Sequence, residues 1–181
     1  MKEELRYKYK IKRRYFQHSA REVADGAISD EISEAFGTFD SFLIYHSYGS
    51  EADTHALIEK LLNCGKSVCL PRVEGKDIVP VRYFGKVDEL TKNSYGIYEP
   101  KGQAYNGQID ICITPLLAVN SKGYRLGYGG GYYDRYFSSH PEILKVGIGY
   151  FLQYTDEFVE EEGDFPLDIF VCERGIINFE R

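Results

Sequence analysis

The chain of 181 residues has no tryptophan, one methionine and four cysteines. Those cysteines, Cys64, Cys69, Cys112 and Cys172, form no C-x-x-C pair. A metal cluster or disulfide framework is therefore a poor reading, and reduced thiols in a cytoplasmic protein fit better. No apolar run approaches the roughly 18 residues that a membrane helix requires. The N-terminus is charged and lacks the apolar core of a signal peptide, which speaks against secretion. The sequence shows no internal repeat and no low-complexity tract. It also lacks a Cys/His or Ser/His constellation of the kind that nucleophilic catalysis uses. A cytoplasmic location without a membrane partner is the expectation.

What is present describes an ordinary globular chain, read as one domain over 1–181. Hydrophobic residues make up 43% and charged residues 28%, both usual for a folded soluble protein. The net charge of −6 is unevenly spread. Residues 1–14 carry seven Lys and Arg against Glu3 and Glu4, a net of +5, which leaves −11 on the remainder. An acidic body with one basic arm argues against nucleic acid as a partner but permits a local anion site.

Hydrophobic periodicity predicts a helix over 2–18 with Leu5, Tyr9, the Lys12 stem and Phe16 on one stripe. A second helix over 20–36 carries Val23, Ile28, Ile32 and Phe36 and stops at Gly37. Ser41 to His46 reads as a strand, Thr54 to Cys64 as a helix, and Lys66 to Pro71 as containing another strand. Such a strand–helix–strand unit suggests parallel pairing. Further strands are expected at Ile78–Phe84, Asp110–Thr114, Lys145–Tyr150 and Ile169–Cys172. Tyr95–Gly102 reads as a turn-rich connection and Tyr132–Ser139 as a helix. The alternation indicates an α/β fold, a layered and largely parallel sheet flanked by helices. Ligands in such sheets bind beyond the carboxyl ends of strands. His46, the loop up to Asp53 and a glycine-rich stretch all follow strands.

That stretch is R-L-G-Y-G-G-G-Y-Y-D-R, Arg125 to Arg135. Glycines let backbone approach a ligand closely. Free amides ahead of a helix then form an anion-binding concavity. Arg125 and Arg135 add positive charge. Asp134, in the helix's first turn, is suited to hold Mg²⁺ beside a bound polyphosphate. The spacing is neither a P-loop nor G-x-G-x-x-G, because Tyr132 stands where the last glycine would be. A purely structural turn, with Tyr133 and Phe137 in the core, is the plainer alternative.

The stretch resembles the signature of the 5-formyltetrahydrofolate cyclo-ligases, also called methenyltetrahydrofolate synthetases. Other segments resemble that family in the same order. They are Lys2-x-x-Leu5-Arg6, Glu51-x-Asp53-Thr54, Lys66 to Arg72, Gly96 to Pro100, Gly149 to Gln153, and Gly163-Asp164, where the family often has His-Asp. The resemblance implies ATP- and Mg²⁺-dependent cyclisation of 5-formyltetrahydrofolate to 5,10-methenyltetrahydrofolate. It also implies a sheet architecture like that of sugar-phosphate isomerases and CoA transferases.

Carried over residue by residue, the resemblance puts ATP against Lys2, Arg6, Arg125, Leu126, Gly127, Tyr128, Gly129, Gly130, Gly131, Tyr132 and Tyr133. Folate falls to His46, Glu51, Tyr128, Gly129, Gly130, Gly131 and Tyr132. Arg125 and Asp134 are the expected catalytic pair, and Asp134 and Asp164 the Mg²⁺ ligands, with Asp168 an alternative to Asp164. The remaining basic residues of the first helix are expected to be solvated. Asp53 is read as a helix N-cap and Gln153 as a buried hydrogen-bonding residue. A related enzyme of the same architecture, or a non-catalytic folate- or nucleotide-binding protein, are the competing readings.

Overall fold

The computed structural model describes residues 2–180. Its centre is a seven-stranded sheet of β1 (Ser41–Ile44), β2 (Ser67–Glu74), β3 (Asp77–Arg82), β6 (Ile111–Thr114), β9 (Leu144–Ile148), β10 (Ile169–Cys172) and β11 (Gly175–Asn178). The strands lie in the order β11-β10-β9-β6-β1-β2-β3. The five inner strands are parallel, and the edge strands β3 and β11 run antiparallel to their neighbours. The expected β1–helix–β2 unit is parallel, with Ser41 opposite Ser67.

Strand period explains the two cores. Phe42 and Ile44, Val68 and Leu70, and Ile111 and Ile113 face one side. There they meet Ile28 and Ile32 of α2 (His18–Ala35) and Leu57, Ile58 and Leu61 of α3 (His55–Asn63). Leu43, Cys69, Cys112, Phe170 and Cys172 face the other side, against Tyr136 and Phe137 of α4 (Tyr132–Ser139). Successive strand residues point to opposite faces, so two layers of helix are needed to cover them. The thiols Cys69, Cys112 and Cys172 thus pack as small apolar groups, whereas Cys64 is exposed. Burial pushes the Cys69 thiol up to about 11, far from a reactive thiolate.

Several boundaries differ from the sequence reading. The first helix, α1 (Lys2–Arg14), stops short of the expected 18, and α2 begins at His18. Phe16 lies in the break and packs on Tyr150, with ring centroids 4.7 Å apart. On α2 the buried position is Ala24, not Val23, which is 74% exposed. Two short ribbons have no pattern long enough to read: β4 (Leu90–Lys92) with β5 (Tyr98–Pro100), and β7 (Ala118–Val119) with β8 (Arg125–Leu126). The second is decisive for the site. Tyr9 of α1 packs with Leu117, Ala118 and Leu126, which brings the basic arm to the carboxyl end of β6 and to the start of the glycine stretch.

Candidate active site

The site is built on the loops that leave β1, β6 and β8. The glycine stretch joins β8 to α4. Gly129 has φ +98° and Gly131, the N-cap of α4, has φ +64°. Only glycine takes such angles without strain. Among the described residues, the amides of 128–131 donate no hydrogen bond, and those of 132–134 head α4, where the helix offers them no acceptor. Seven successive donors therefore lie at the positive end of a helix dipole, the composition of an anion cradle.

The basic arm closes over this loop. Arg6 Nε donates to Gly127 O at 3.0 Å, and its guanidinium sits 3.4 Å from where a Gly129 side chain would begin. Lys2 Nζ lies 2.9 Å from Asp164 Oδ2 and 3.1 Å from Glu161. Asp164, not Asp168, is thus the carboxylate brought to the site. Asp168 instead accepts the amide of Lys145 at the opposite end of β9.

Arg125 and Arg135 brace the loop rather than reach into it. The Arg125 side chain is 5% exposed, with Nη2 3.1 Å from Asp134 Oδ2. Its guanidinium lies over the rings of Tyr133 and Phe137. Asp134 Oδ1 accepts the amide of Phe165 at 3.1 Å, so the residue after Asp164 is pinned to α4. Arg135 bonds Lys76 O and Gly130 O from outside, with its guanidinium over Tyr132. Leu126 is buried, and its carbonyl accepts Leu117 N; it supports the ribbon from below.

The facing wall comes from the loop after β1. Glu51 Oε2 accepts the amide of Tyr48, and Oε1 takes a short hydrogen bond from the Tyr128 hydroxyl. Burial raises the Glu51 carboxyl above its usual range, against the lowering effect of those bonds. Thr54 is fully buried; its hydroxyl donates to Tyr45 O and accepts Ser47 N, which fixes the loop. Thr54 is the N-cap of α3, one residue beyond the expected Asp53. Asp53 still accepts the amide of Ala56 at 3.4 Å and pairs with His55 at 2.7 Å. Gln153 is buried as expected, spanning Tyr150 N and the carbonyls of Leu116 and Leu117.

Arg13 was expected to be solvated, and the structure corrects this. It is 4% exposed and donates to Ser50 Oγ at 3.1 Å, Leu116 O at 3.0 Å and the Tyr128 hydroxyl at 2.8 Å. Tyr128 therefore bridges a buried cation and a carboxylate, accepting from Arg13 and donating to Glu51. The one legible signal was position: Tyr9 and Arg13, four apart, share a helix face. His55 was also missed. Its Nε2 lies 3.3 Å from His46 Nδ1, and both histidines line a cavity of about 360 Å³ with Leu62, Tyr83 and Phe84.

Among the described residues no three His, Cys, Asp or Glu side chains converge on a metal position, and no helix is long and apolar enough to cross a membrane. Mg²⁺ needs only one or two carboxylates when phosphate oxygens and water supply the rest. By donor type Asp134 and Asp164 meet that lesser requirement; in this structure Asp134 pairs with Arg125 and the Phe165 amide, and Asp164 with Lys2.

Residues 1–173 match the model of the 5-formyltetrahydrofolate cyclo-ligase family. The chain is 36% identical over 138 residues to the 5-formyltetrahydrofolate cyclo-ligase of Haemophilus influenzae, covering 71% of this chain and 73% of that protein. It is 31% identical over 172 residues to a probable 5-formyltetrahydrofolate cyclo-ligase of Caenorhabditis elegans, covering 85% and 84%. The NMR structure of Aquifex aeolicus 5,10-methenyltetrahydrofolate synthetase superposes with a TM-score of 0.85 at 29% identity, over 99% of this chain and 93% of that one. The matched segment contains the amide cradle, the basic arm and the Glu51 loop, and on these grounds the chain belongs to the 5-formyltetrahydrofolate cyclo-ligase family, enzymes of the ATP-dependent cyclisation of 5-formyltetrahydrofolate.

Proposed function

We propose that this chain performs that reaction with ATP phosphates on the amides of 128–134 and folate against Glu51 and His46. The observation that carries the reading is Tyr128, which belongs to the cradle yet bonds Glu51 on the facing wall. A ligand on one side and a ligand on the other share that residue. Lys2 and Arg6 meet the phosphates from α1, and Arg125 holds Asp134 and the head of α4 in place.

The N5-formyl group is amide-like, and its oxygen is a poor leaving group. In the proposed first step that oxygen attacks the γ-phosphorus. The new O–P bond forms as the bond to the ADP oxygen breaks. N10 then adds its lone pair to the activated formyl carbon and loses its proton to solvent. Phosphate departs with the C–O electron pair, leaving the 5,10-methenyl bridge. The protein's part is alignment and charge stabilisation, as in other phosphoryl transfers; no side-chain nucleophile is needed. Mg²⁺ held by Asp134 and Asp164 would neutralise charge on the transferring phosphoryl group. The proposed substrates are 5-formyltetrahydrofolate and ATP, without nucleic acid or membrane, and the proposed location is the cytoplasm.

The test follows methenyl product by absorbance with Mg²⁺, ATP and 5-formyltetrahydrofolate, omitting each in turn. Product that requires all three is expected. A folded protein that binds ATP and forms no product would overturn the reading.

A further inference from the structure

Outside the cradle, two histidines face each other on the wall assigned to folate. Asp53 Oδ1 lies 2.7 Å from His55 Nδ1, and His55 Nε2 lies 3.3 Å from His46 Nδ1. His46 also meets the Tyr98 ring edge-on at 5.7 Å, and its Nε2 has no partner among the described residues. Both rings border the 360 Å³ cavity. We propose that His55 is a positioning residue for folate: anchored by Asp53, it engages His46 Nδ1 and thereby sets whether His46 Nε2 presents a proton or a lone pair to the ligand. This rests on the assignment of the His46 wall to folate.

The logic is that of hydrogen-bond valence. Asp53 is ionised and takes the Nδ1–H of His55 in either state. When His55 is protonated, its Nε2–H donates to His46 Nδ1, and neutral His46 must carry its own proton on Nε2. When His55 is neutral, its Nε2 becomes an acceptor. His46 then donates from Nδ1, and its Nε2 offers only a lone pair. His46 stays neutral throughout, because burial and the neighbouring His55 charge lower it to about 4. The bond to Asp53 raises His55 above its ordinary value, despite some burial. The other groups around the pair are Glu59 of α3, Tyr83 beyond β3 and Tyr98 of β5, with Asp25 of α2 behind Asp53, accepting its amide at 3.0 Å.

A carbonyl or carboxylate oxygen of folate needs the donor state. Folate binding should therefore weaken as pH rises through the elevated His55 titration. Steady-state kinetics and ¹⁵N NMR of histidine-labelled protein test this together. His55→Leu should raise KM for 5-formyltetrahydrofolate roughly three- to tenfold, the worth of one hydrogen bond, with KM for ATP unchanged. His55→Gln, whose amide donates without titrating, should restore the low KM and flatten its pH dependence. In the native protein His46 should carry its proton on Nε2 below the His55 titration and on Nδ1 above it. Equal shifts in both KM values with a lowered Tm would mark a merely structural role and overturn the inference. So would a His46 tautomer indifferent to His55. If the native protein makes no product, the function assignment fails by itself, and the ¹⁵N shifts still decide the relay.

Discussion

Arg125 Nη2 sits 3.1 Å from Asp134 Oδ2, with the arginine side chain only 5% exposed. Two residues expected to face the ligands thus face each other. Asp134 uses its other oxygen on Phe165 N, and Arg125 Nη1 lies 3.4 Å from Phe165 O. The pair joins the start of β8, the head of α4 and the segment after Asp164. Whatever Asp134 contributes to Mg²⁺, it contributes from within this joint.

Asp134→Asn should accordingly lower stability as well as turnover. It leaves the guanidinium without its counter-charge in a largely buried place, a loss of about 3 kcal/mol. For a chain of this size that is a fall of roughly 6–12 °C in Tm. Thermal denaturation and turnover against Mg²⁺ concentration separate the two effects. A Tm equal to the native value would show that the pair is not structural. Full turnover at limiting Mg²⁺ would remove the metal role.

Glu51→Gln should dissociate stability from function. Its carboxyl is raised by burial, so the ionised form is less favoured in the folded chain than in the unfolded one. Above that raised value the charge opposes folding. The amide should therefore unfold at an equal or higher Tm at pH 7. The advantage should fade as pH falls through the Glu51 titration, where the native carboxyl becomes neutral too. Affinity for 5-formyltetrahydrofolate should drop at neutral pH. A neutral-pH Tm well below native would contradict this sign.

Two glycines two residues apart should respond differently. Gly129 has φ +98°, and a side chain there would begin 3.4 Å from the Arg6 guanidinium. Gly129→Ala should lose about 1–2 kcal/mol of stability through backbone strain and weaken ATP. At Gly127 nothing lies within 4 Å of the added carbon, and no positive φ applies. Gly127→Ala should fold within about 0.5 kcal/mol of native. Normal ATP affinity in a folded Gly129→Ala protein, measured by calorimetry, would refute the amide cradle.

Arg13→Met should affect both substrates. It removes three hydrogen bonds that tie α1 to the loops after β1 and β6 and to Tyr128. A stability loss of about 3 kcal/mol is expected, since Glu51 and Tyr128 then lose their buried cation. Apparent affinities for ATP and folate should fall together, because Tyr128 stands between them. Loss confined to one ligand would show that Arg13 does not link the two walls.

Much of the fold was legible because its signals are local. Runs such as Phe42–Ile44 and Ile111–Ile113 show apolar strand character without reference to anything distant, and Tyr132–Ser139 begins where the glycines end. Helix ends were less legible: α1 stops at Arg14 because Phe16 is drawn to Tyr150, 134 positions away. Ribbons of two or three residues carry no period at all. The candidate site divides in the same way. The glycine stretch stands out because backbone needs are written in residue type. His55 and Arg13 did not stand out, since nothing beside them in the chain shows what they touch.

By itself, the sequence determined the parallel α/β layering, the amide-rich turn ahead of α4 and the resemblance to the cyclo-ligase family. Those features depend on side-chain period and on glycine's freedom at φ > 0, which are properties of short stretches. The tertiary structure alone decided which charges are buried and with whom. Arg13 finds Ser50, Leu116 and Tyr128 at separations of 37, 103 and 115 positions. Lys2 finds Asp164 at 162. A charge leaves water only where distant segments converge to replace its hydration, and that convergence exists in the folded chain alone.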